Sequence, residues 1–381
     1  MNSNLANQLL ASIMNWDAQT LASERATLEF MGSMKYDAYD RYMPGMRFMS
    51  SLVQWLDQFE DEKDKQMAFD FIKKRLVFIS STQMNYLVDL LYDSIIRPDL
   101  LKKATTALKE PSYKLSSMKV KKQFGIEERS SLIVGLSDGA HTDILRRSAG
   151  FSNEQVLTNY YPDSKKLAEM LEELGNDEKM KDSQNPYFRS IYLIDDFTAS
   201  GKSFIRFDPK TGEYHGKLKK IISELCADNK EAQDDKPEER HLSYLLNPSE
   251  KCIHLDLLFC IATEKAINNI KQGLIDFLDD SDLKKKVKYK IHVVQVLEDK
   301  ISQDIKDDEN LVAMLRKDKY LDIDSVMSKN YAVGKHDNAY LGFDECALPV
   351  VLVHNTHNNS LPILWQDSKK FRGLFPRISR H

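Results

Sequence analysis

The residues with the most chemical content form one run, Ile191-Tyr-Leu-Ile-Asp-Asp-Phe-Thr-Ala-Ser-Gly-Lys-Ser203. An apolar segment ends in two adjacent carboxylates, Asp195 and Asp196, and small and hydroxyl residues follow around Gly201. Ligands of open α/β sheets bind at the carboxyl ends of the strands. Small side chains at Ala199, Ser200, Gly201, Lys202 and Ser203 would let backbone amides converge on one phosphate, helped by the Ser200 and Ser203 hydroxyls. Neighbouring carboxylates suit ribose hydroxyls and a hard divalent cation such as Mg²⁺. Gly201-Lys202-Ser203 imitates the end of a Walker loop, but that motif needs glycine where Asp196 stands, so it is excluded. The competing reading is structural, because an acidic pair and a small-residue turn after a strand also cap an ordinary helix.

Two further groups could take part. Ser137, Asp138 and Gly139 follow the apolar run 131–136, and Gly139 admits backbone conformations closed to other residues. Arg146 and Arg147 lie just beyond, either as a second phosphate contact or as exposed helix charges. His354 and Asn355 follow the apolar run 348–353, with His357, Asn358 and Asn359 close behind. They read either as a base-recognition loop with a neutral histidine as general base or as an Asn-rich turn that satisfies its own backbone. His354-x-x-His357 lacks a third ligand at suitable spacing for zinc. The four cysteines show no CxxC spacing, so neither a disulfide scaffold nor a zinc ribbon is indicated.

These residues need elements to hold them. The chain has 381 residues, long enough for two cores. Its 54 basic and 58 acidic residues exclude a wholly basic nucleic-acid coat, so any polyanion site must be local. No apolar run is long enough to span a bilayer and the first residues lack a basic leader, which makes a cytoplasmic protein the expectation. From 21 to 108 the apolar spacing is helical. Ser80 and Gln83 form a capping box, Pro98 closes the helix that follows, and the helices flanking 77–80 fit a helix-turn-helix or winged helix. The basic stretch 102–122, with Lys119, Lys121 and Lys122, is either a nucleic-acid backbone contact or a solvated linker.

After residue 130 the texture alternates. Strands are expected at 131–136, 192–194, 254–261, 289–297 and 348–353, with helices at 165–174, 216–225 and 263–278 between them. This pattern predicts an α/β domain with a mostly parallel sheet flanked by helices. Residues 208–212 read as a hairpin tip, and 228–240, devoid of large apolar residues, as a surface insertion. The division expected is a mainly helical, winged-helix-like domain at 1–125 and an α/β domain at 126–381.

The run 191–203 resembles the signature of type I phosphoribosyltransferases: apolar strand, acidic pair, two mostly apolar positions, small hydroxyl residues, glycine and a final Ser. Thr198 departs mildly from the aliphatic residue usual there. With the stretches 135–147 and 342–365 and the closing Leu374-Phe-Pro-Arg377, the chain is similar to phosphoribosyltransferase-like proteins of bacterial anti-phage conflict systems, some of them retron-associated. The resemblance implies a type I phosphoribosyltransferase-like fold. It also implies that Asp195 and Asp196 hold the ribose of phosphoribosyl pyrophosphate or a nucleotide, with Mg²⁺ bound through that ligand, and that residues 199–203 bind the 5′-phosphate. The 137–139 loop, with Arg146, would take the pyrophosphate. No tightly bound organic cofactor is expected, and a reverse transcriptase–msDNA complex or another nucleic acid is a candidate partner, as is a second copy of the chain. Two activities stay open. One is transfer or breakdown at the ribose anomeric carbon; the other is a non-catalytic nucleotide sensor or nucleic-acid- or partner-binding module.

Overall fold

The computed structural model describes residues 3–114, 116–159, 161–181, 186–228, 240–326 and 337–378. The insertion expected at 228–240 therefore lies almost wholly outside the described residues. In chain order the strands are β1 Val77–Ile79, β2 Ser131–Gly135, β3 Val156–Leu157, β4 Ser190–Thr198, β5 Arg206–Asp208, β6 Glu213–His215, β7 Ile253–Thr263, β8 Val287–Leu297 and β9 Val350–Leu352.

The chain divides into two compact units, and the division does not follow chain order. One unit joins residues 1–83 to 298–381, and the other is 84–297. Residue 125, the boundary expected from the sequence, falls inside the second unit, within the helix Met118–Arg129. That helix is bound into its unit by Arg129, 5% exposed, whose Nε lies 2.6 Å from Asp177 Oδ2, and by Ser131 Oγ, which donates to the Glu127 carbonyl at 2.8 Å.

In the first unit the two ends of the chain share one core. Tyr36, Phe48, Phe78 and Phe375 form an aromatic cluster with ring centroids 4.6–6.2 Å apart. The buried Tyr39 hydroxyl donates to the Pro376 carbonyl at 2.8 Å, and Trp55 Nε1 donates to the Ile363 carbonyl at 2.9 Å. Burial pushes the Tyr39 phenol up to about 12. The run 348–353, expected as a further strand of the main sheet, instead gives β9, which pairs in parallel with β1 in register Val77↔Val350 to Ile79↔Leu352. An apolar run shows that a strand is buried on both faces and is silent about its neighbour. Its neighbour β1 occupies the stretch taken for the turn of a helix-turn-helix. Ser80 and Gln83 do form the capping box, with Ser80 N–H donating to Gln83 Oε1 at 3.1 Å and Gln83 N–H to Ser80 Oγ at 3.3 Å.

In the second unit Pro98 does not end a helix. A π-helical turn, Leu91–Ile96, leads into the helix Arg97–Leu108, and Pro98 sits in the first turn of the latter. The sheet is five-stranded, parallel throughout, in the order β3-β2-β4-β7-β8. Strands β2 and β4 are buried along their whole length, as apolar runs flanked by helices on both faces require. The helices Ser164–Asn176, Lys217–Cys226 and Glu264–Asp280 bury apolar stripes. The predicted hairpin is present, β5 pairing antiparallel with β6 around Gly212, whose φ is +69°.

Candidate functional site

Strand order fixes where a ligand can bind. From β2 the chain crosses to β3 on one side, whereas β4, β7 and β8 continue on the other. The carboxyl ends of β2 and β4 therefore flank the topological switch point, the crevice where open α/β sheets take ligands. Gly135 pairs with Ile194 and Leu136 N–H donates to the Ile194 carbonyl at 2.8 Å. The 137–139 loop thus departs beside Asp195 and Asp196.

The 137–139 loop packs on the acidic pair. Asp195 and Asp196 are 1% and 3% exposed. Asp195 Oδ1 accepts from Ser137 Oγ and from the Asp196 amide, the latter at 3.1 Å, and Oδ2 accepts from Lys217 Nζ at 2.7 Å. Burial raises the Asp195 carboxyl to about 6; Lys217 opposes the rise and Asp196 adds to it. Gly139 lies so close to Asp196 that a Cβ there would stand 2.9 Å from Oδ2, so a larger residue would have to displace that carboxylate. A ring nitrogen of His141 lies within 4.8 Å of an Asp196 carboxylate oxygen. His141 has φ +49° and immediately precedes the helix Thr142–Ala149.

The 199–203 loop is braced from outside. Thr263 Oγ1, at the end of β7, donates to the Ala199 carbonyl at 2.6 Å, and Asn269 Nδ2 to the Ser200 carbonyl at 2.9 Å. Gly201 has φ +74° and abuts the helix Glu264–Asp280, where a Cβ would come 2.8 Å from the Ala266 carbonyl. Ala199 and Ser200 are buried, while Ser203 is exposed and Lys202 half-buried. The β5–β6 hairpin is an excursion from this loop. The chain leaves at Phe204 and returns at Gly216, where Lys217 N–H donates to the Ser203 carbonyl at 3.1 Å and Leu218 N–H to the Phe204 carbonyl at 2.8 Å. The helix Lys217–Cys226 consequently resumes directly on the loop, and its first residue reaches Asp195.

Asp138 is exposed, and Arg146 is half-buried in the last turn of its helix. Arg147 is exposed and lies 3.9 Å from Asp143. His354 and Asn355 belong to the other compact unit. There the His354 carbonyl accepts from Arg41 Nε at 2.7 Å, and Asn355 Nδ2 donates to the Ile378 carbonyl at 3.2 Å. Asn359, 8% exposed, donates to the Phe343 carbonyl at 3.2 Å, a backbone-satisfying role. Lys119, Lys121 and Lys122 are exposed on the helix Met118–Arg129. Lys103, in the same basic stretch, is committed inside its unit, 2.6 Å from Asp99 and 2.9 Å from Ser190 Oγ. Sequence reasoning missed Lys217, His141, Thr263 and Asn269. Their neighbourhood exists only once strands and helices are assembled, although Lys217, at the start of a predicted helix after the loop, was the most accessible of them.

No helix among the described residues is long and apolar enough to cross a membrane. No curated protein and no solved structure matches the chain. The PRTase-CE family model matches residues 52–377, which include β2, the acidic pair and the 199–203 loop. On that match, and with a parallel sheet that carries an acidic pair and a small-residue loop at its switch point, the chain belongs to the PRTase-CE family and is phosphoribosyltransferase-like.

Proposed function

We propose that the switch-point crevice binds phosphoribosyl pyrophosphate or a nucleotide and that the protein acts at the ribose anomeric carbon, by phosphoribosyl transfer or nucleotide breakdown, as an effector of a bacterial anti-phage system. The observation that carries this reading is the packing of the 137–139 loop on Asp195 and Asp196 across the β2/β4 switch point, with the 199–203 loop following from the end of the same strand. The 199–203 loop would take the 5′-phosphate. Asp196 would take the ribose hydroxyls, with Asp195 contributing through the order it imposes on both loops. The 137–139 loop, with Arg146, would meet the pyrophosphate. Departure of a group from the anomeric carbon builds positive charge on the sugar, so catalysis would rest mainly on positioning. His141 supplies a proton-exchanging group beside the pair.

The donor set fits Mg²⁺ held largely through the ligand. Both carboxylates offer hard oxygens, and those of Asp195 also accept from Ser137, the Asp196 amide and Lys217. The ion would neutralise charge on the ligand's phosphates.

The enzyme reading is tested with the full chain, Mg²⁺, phosphoribosyl pyrophosphate and a panel of nucleotides. Release of pyrophosphate, free base or a new nucleotide is expected, and none of it from the Asp195→Asn/Asp196→Asn variant. Ligand binding without any product would establish the second reading, a non-catalytic sensor, which the internal commitment of Asp195 favours. A nucleic-acid role, including docking to a reverse transcriptase–msDNA complex, is supported by the exposure of Lys119, Lys121 and Lys122. Replacing all three with Glu should weaken nucleic-acid binding and flatten its salt dependence; unchanged affinity would leave them as solvated helix charges.

A further inference from the structure

The two edges of the five-stranded sheet differ. At one edge β3 has two residues, too short to template another strand. At the other, β8 runs for eleven residues, Val287–Leu297, and pairs along its length with β7. The last nine residues of β7 are buried, whereas on β8 only Val287 and Leu297 are. Lys288 and Lys290, both exposed, guard the amino end against pairing, as charges on edge strands do. The carboxyl end, Val293-Val-Gln-Val-Leu297, carries no charge, and Val296 is 37% exposed. Half of this edge is therefore unguarded.

One bond fixes which backbone groups face outward. Ile253 N–H donates to the Lys286 carbonyl at 2.7 Å, so Lys286 turns its backbone groups to β7. Successive residues of a strand turn theirs to opposite edges, so Tyr289, Ile291, Val293 and Gln295 turn N–H and C=O away from β7. Among the described residues no backbone group meets these four. Glu298, directly after the strand, is exposed and still extended, with φ −63° and ψ 145°.

We propose that β8 pairs antiparallel with β8 of a second copy of the chain, about a two-fold axis at Val293, so that two five-stranded sheets become one of ten. On this register Val293 faces its own equivalent. Ile291 faces Gln295 and Tyr289 faces Leu297, as hydrogen-bonded pairs made by the outward backbone groups. On the other face His292 lies opposite Val294, Lys290 opposite Val296 and Lys288 opposite Glu298. Opposite charges across a strand pair attract and like charges repel, and here no like charges meet. The Lys290 stem covers the exposed Val296. Charge thus argues for a second copy as the occupant: the basic amino end calls for a strand that is apolar and then acidic, and the carboxyl end of β8, run antiparallel, is one. Moving the axis to His292 would set that imidazole against its equivalent and leave Lys288 opposite Val296.

The test is sedimentation equilibrium of the full chain over a range of concentrations. A reversible dimer of twice 44.0 kDa is expected. Lys288→Glu and Glu298→Lys should each weaken it about fivefold or more by opposing like charges, and Lys288→Glu/Glu298→Lys should return it to within about twofold of the parent. Val293→Pro removes an outward N–H at the axis and leaves the bonds to β7, so it should give a monomer with the parent's far-ultraviolet circular dichroism. A monomeric parent, its edge left to solvent or to a strand of another protein, overturns the proposal. So does a dimer that keeps its affinity in both single charge variants, fails to recover in the double variant, or survives in folded Val293→Pro. If Val293→Pro does not fold, the charge variants decide, because they change exposed side chains alone.

Discussion

The bond between Lys217 and Asp195 makes a quantitative prediction. Asp195 is buried, and its carboxyl is raised from 3.8 to about 6 chiefly by that burial, with Lys217 Nζ at 2.7 Å holding it down. A carboxyl raised in the folded state favours folding most when protonated. Its contribution is complete below about pH 4 and is lost as pH rises through 6, about 3 kcal/mol at 1.36 kcal/mol per unit. Lys217→Met keeps most of the aliphatic stem and removes the charge, whose Nζ lies 4.6 Å from the Phe204 ring centroid. An opposite charge in contact is worth about 1–3 pKa units, so the Asp195 carboxyl should climb to about 7 or above. At pH 8 the variant should then lose about 1–3 kcal/mol relative to the parent. At pH 5, where Asp195 carries its proton in both proteins, the loss should be under about 1 kcal/mol. Urea unfolding followed by far-ultraviolet circular dichroism at the two pH values measures this, with Asp195→Asn and the double variant completing a cycle. Equal destabilisation at pH 5 and pH 8, or strict additivity with Asp195→Asn, would refute the reasoning.

Other outcomes follow from the same geometry. Gly139→Ala places a methyl 2.9 Å from Asp196 Oδ2 and should cut affinity for phosphoribosyl pyrophosphate at least tenfold in a calorimetric titration, with about 1–3 kcal/mol of strain. Gly201→Ala combines φ +74° with a methyl 2.8 Å from the Ala266 carbonyl and should lower stability by about 2–4 kcal/mol in urea unfolding. Asn269→Ala removes the donor from the Ser200 carbonyl; a loss of about 1–3 kcal/mol and weaker phosphate binding are expected, whereas an unchanged titration would show that the loop holds itself.

The α/β part of the fold was legible because its signals are local. The runs 254–261 and 289–297 became β7 and β8, 208–212 became the hairpin tip, and the predicted helices at 165–174, 216–225 and 263–278 formed within a few residues of their expected ends. The parallel sheet followed from strands buried on both faces alternating with amphipathic helices. The acidic pair, Gly201 and Gly139 were singled out on side-chain chemistry, and the structure places Asp195 and Asp196 together with the 137–139 loop. Less legible were the parts that depend on distant segments. Val156–Leu157 is two residues long, and Val77–Ile79 three, below the length at which alternation carries a signal.

What the sequence by itself determined is the chemistry of one loop: two carboxylates, small residues and a glycine on a buried strand, in an order whose family resemblance the PRTase-CE match bears out at the family level. Tertiary structure alone decided the partners. Strand order put β2 and β4 side by side and so brought Ser137 to Asp195, a backbone excursion returned Lys217 to the same carboxylate, and pairing between residues 77–79 and 350–352 joined the chain's two ends in one unit. The physical reason is that side-chain type and periodicity are properties of neighbours along the chain, whereas an ion pair between residues 195 and 217, or a strand pair between 77 and 350, is set by which surfaces are buried together when the whole chain packs.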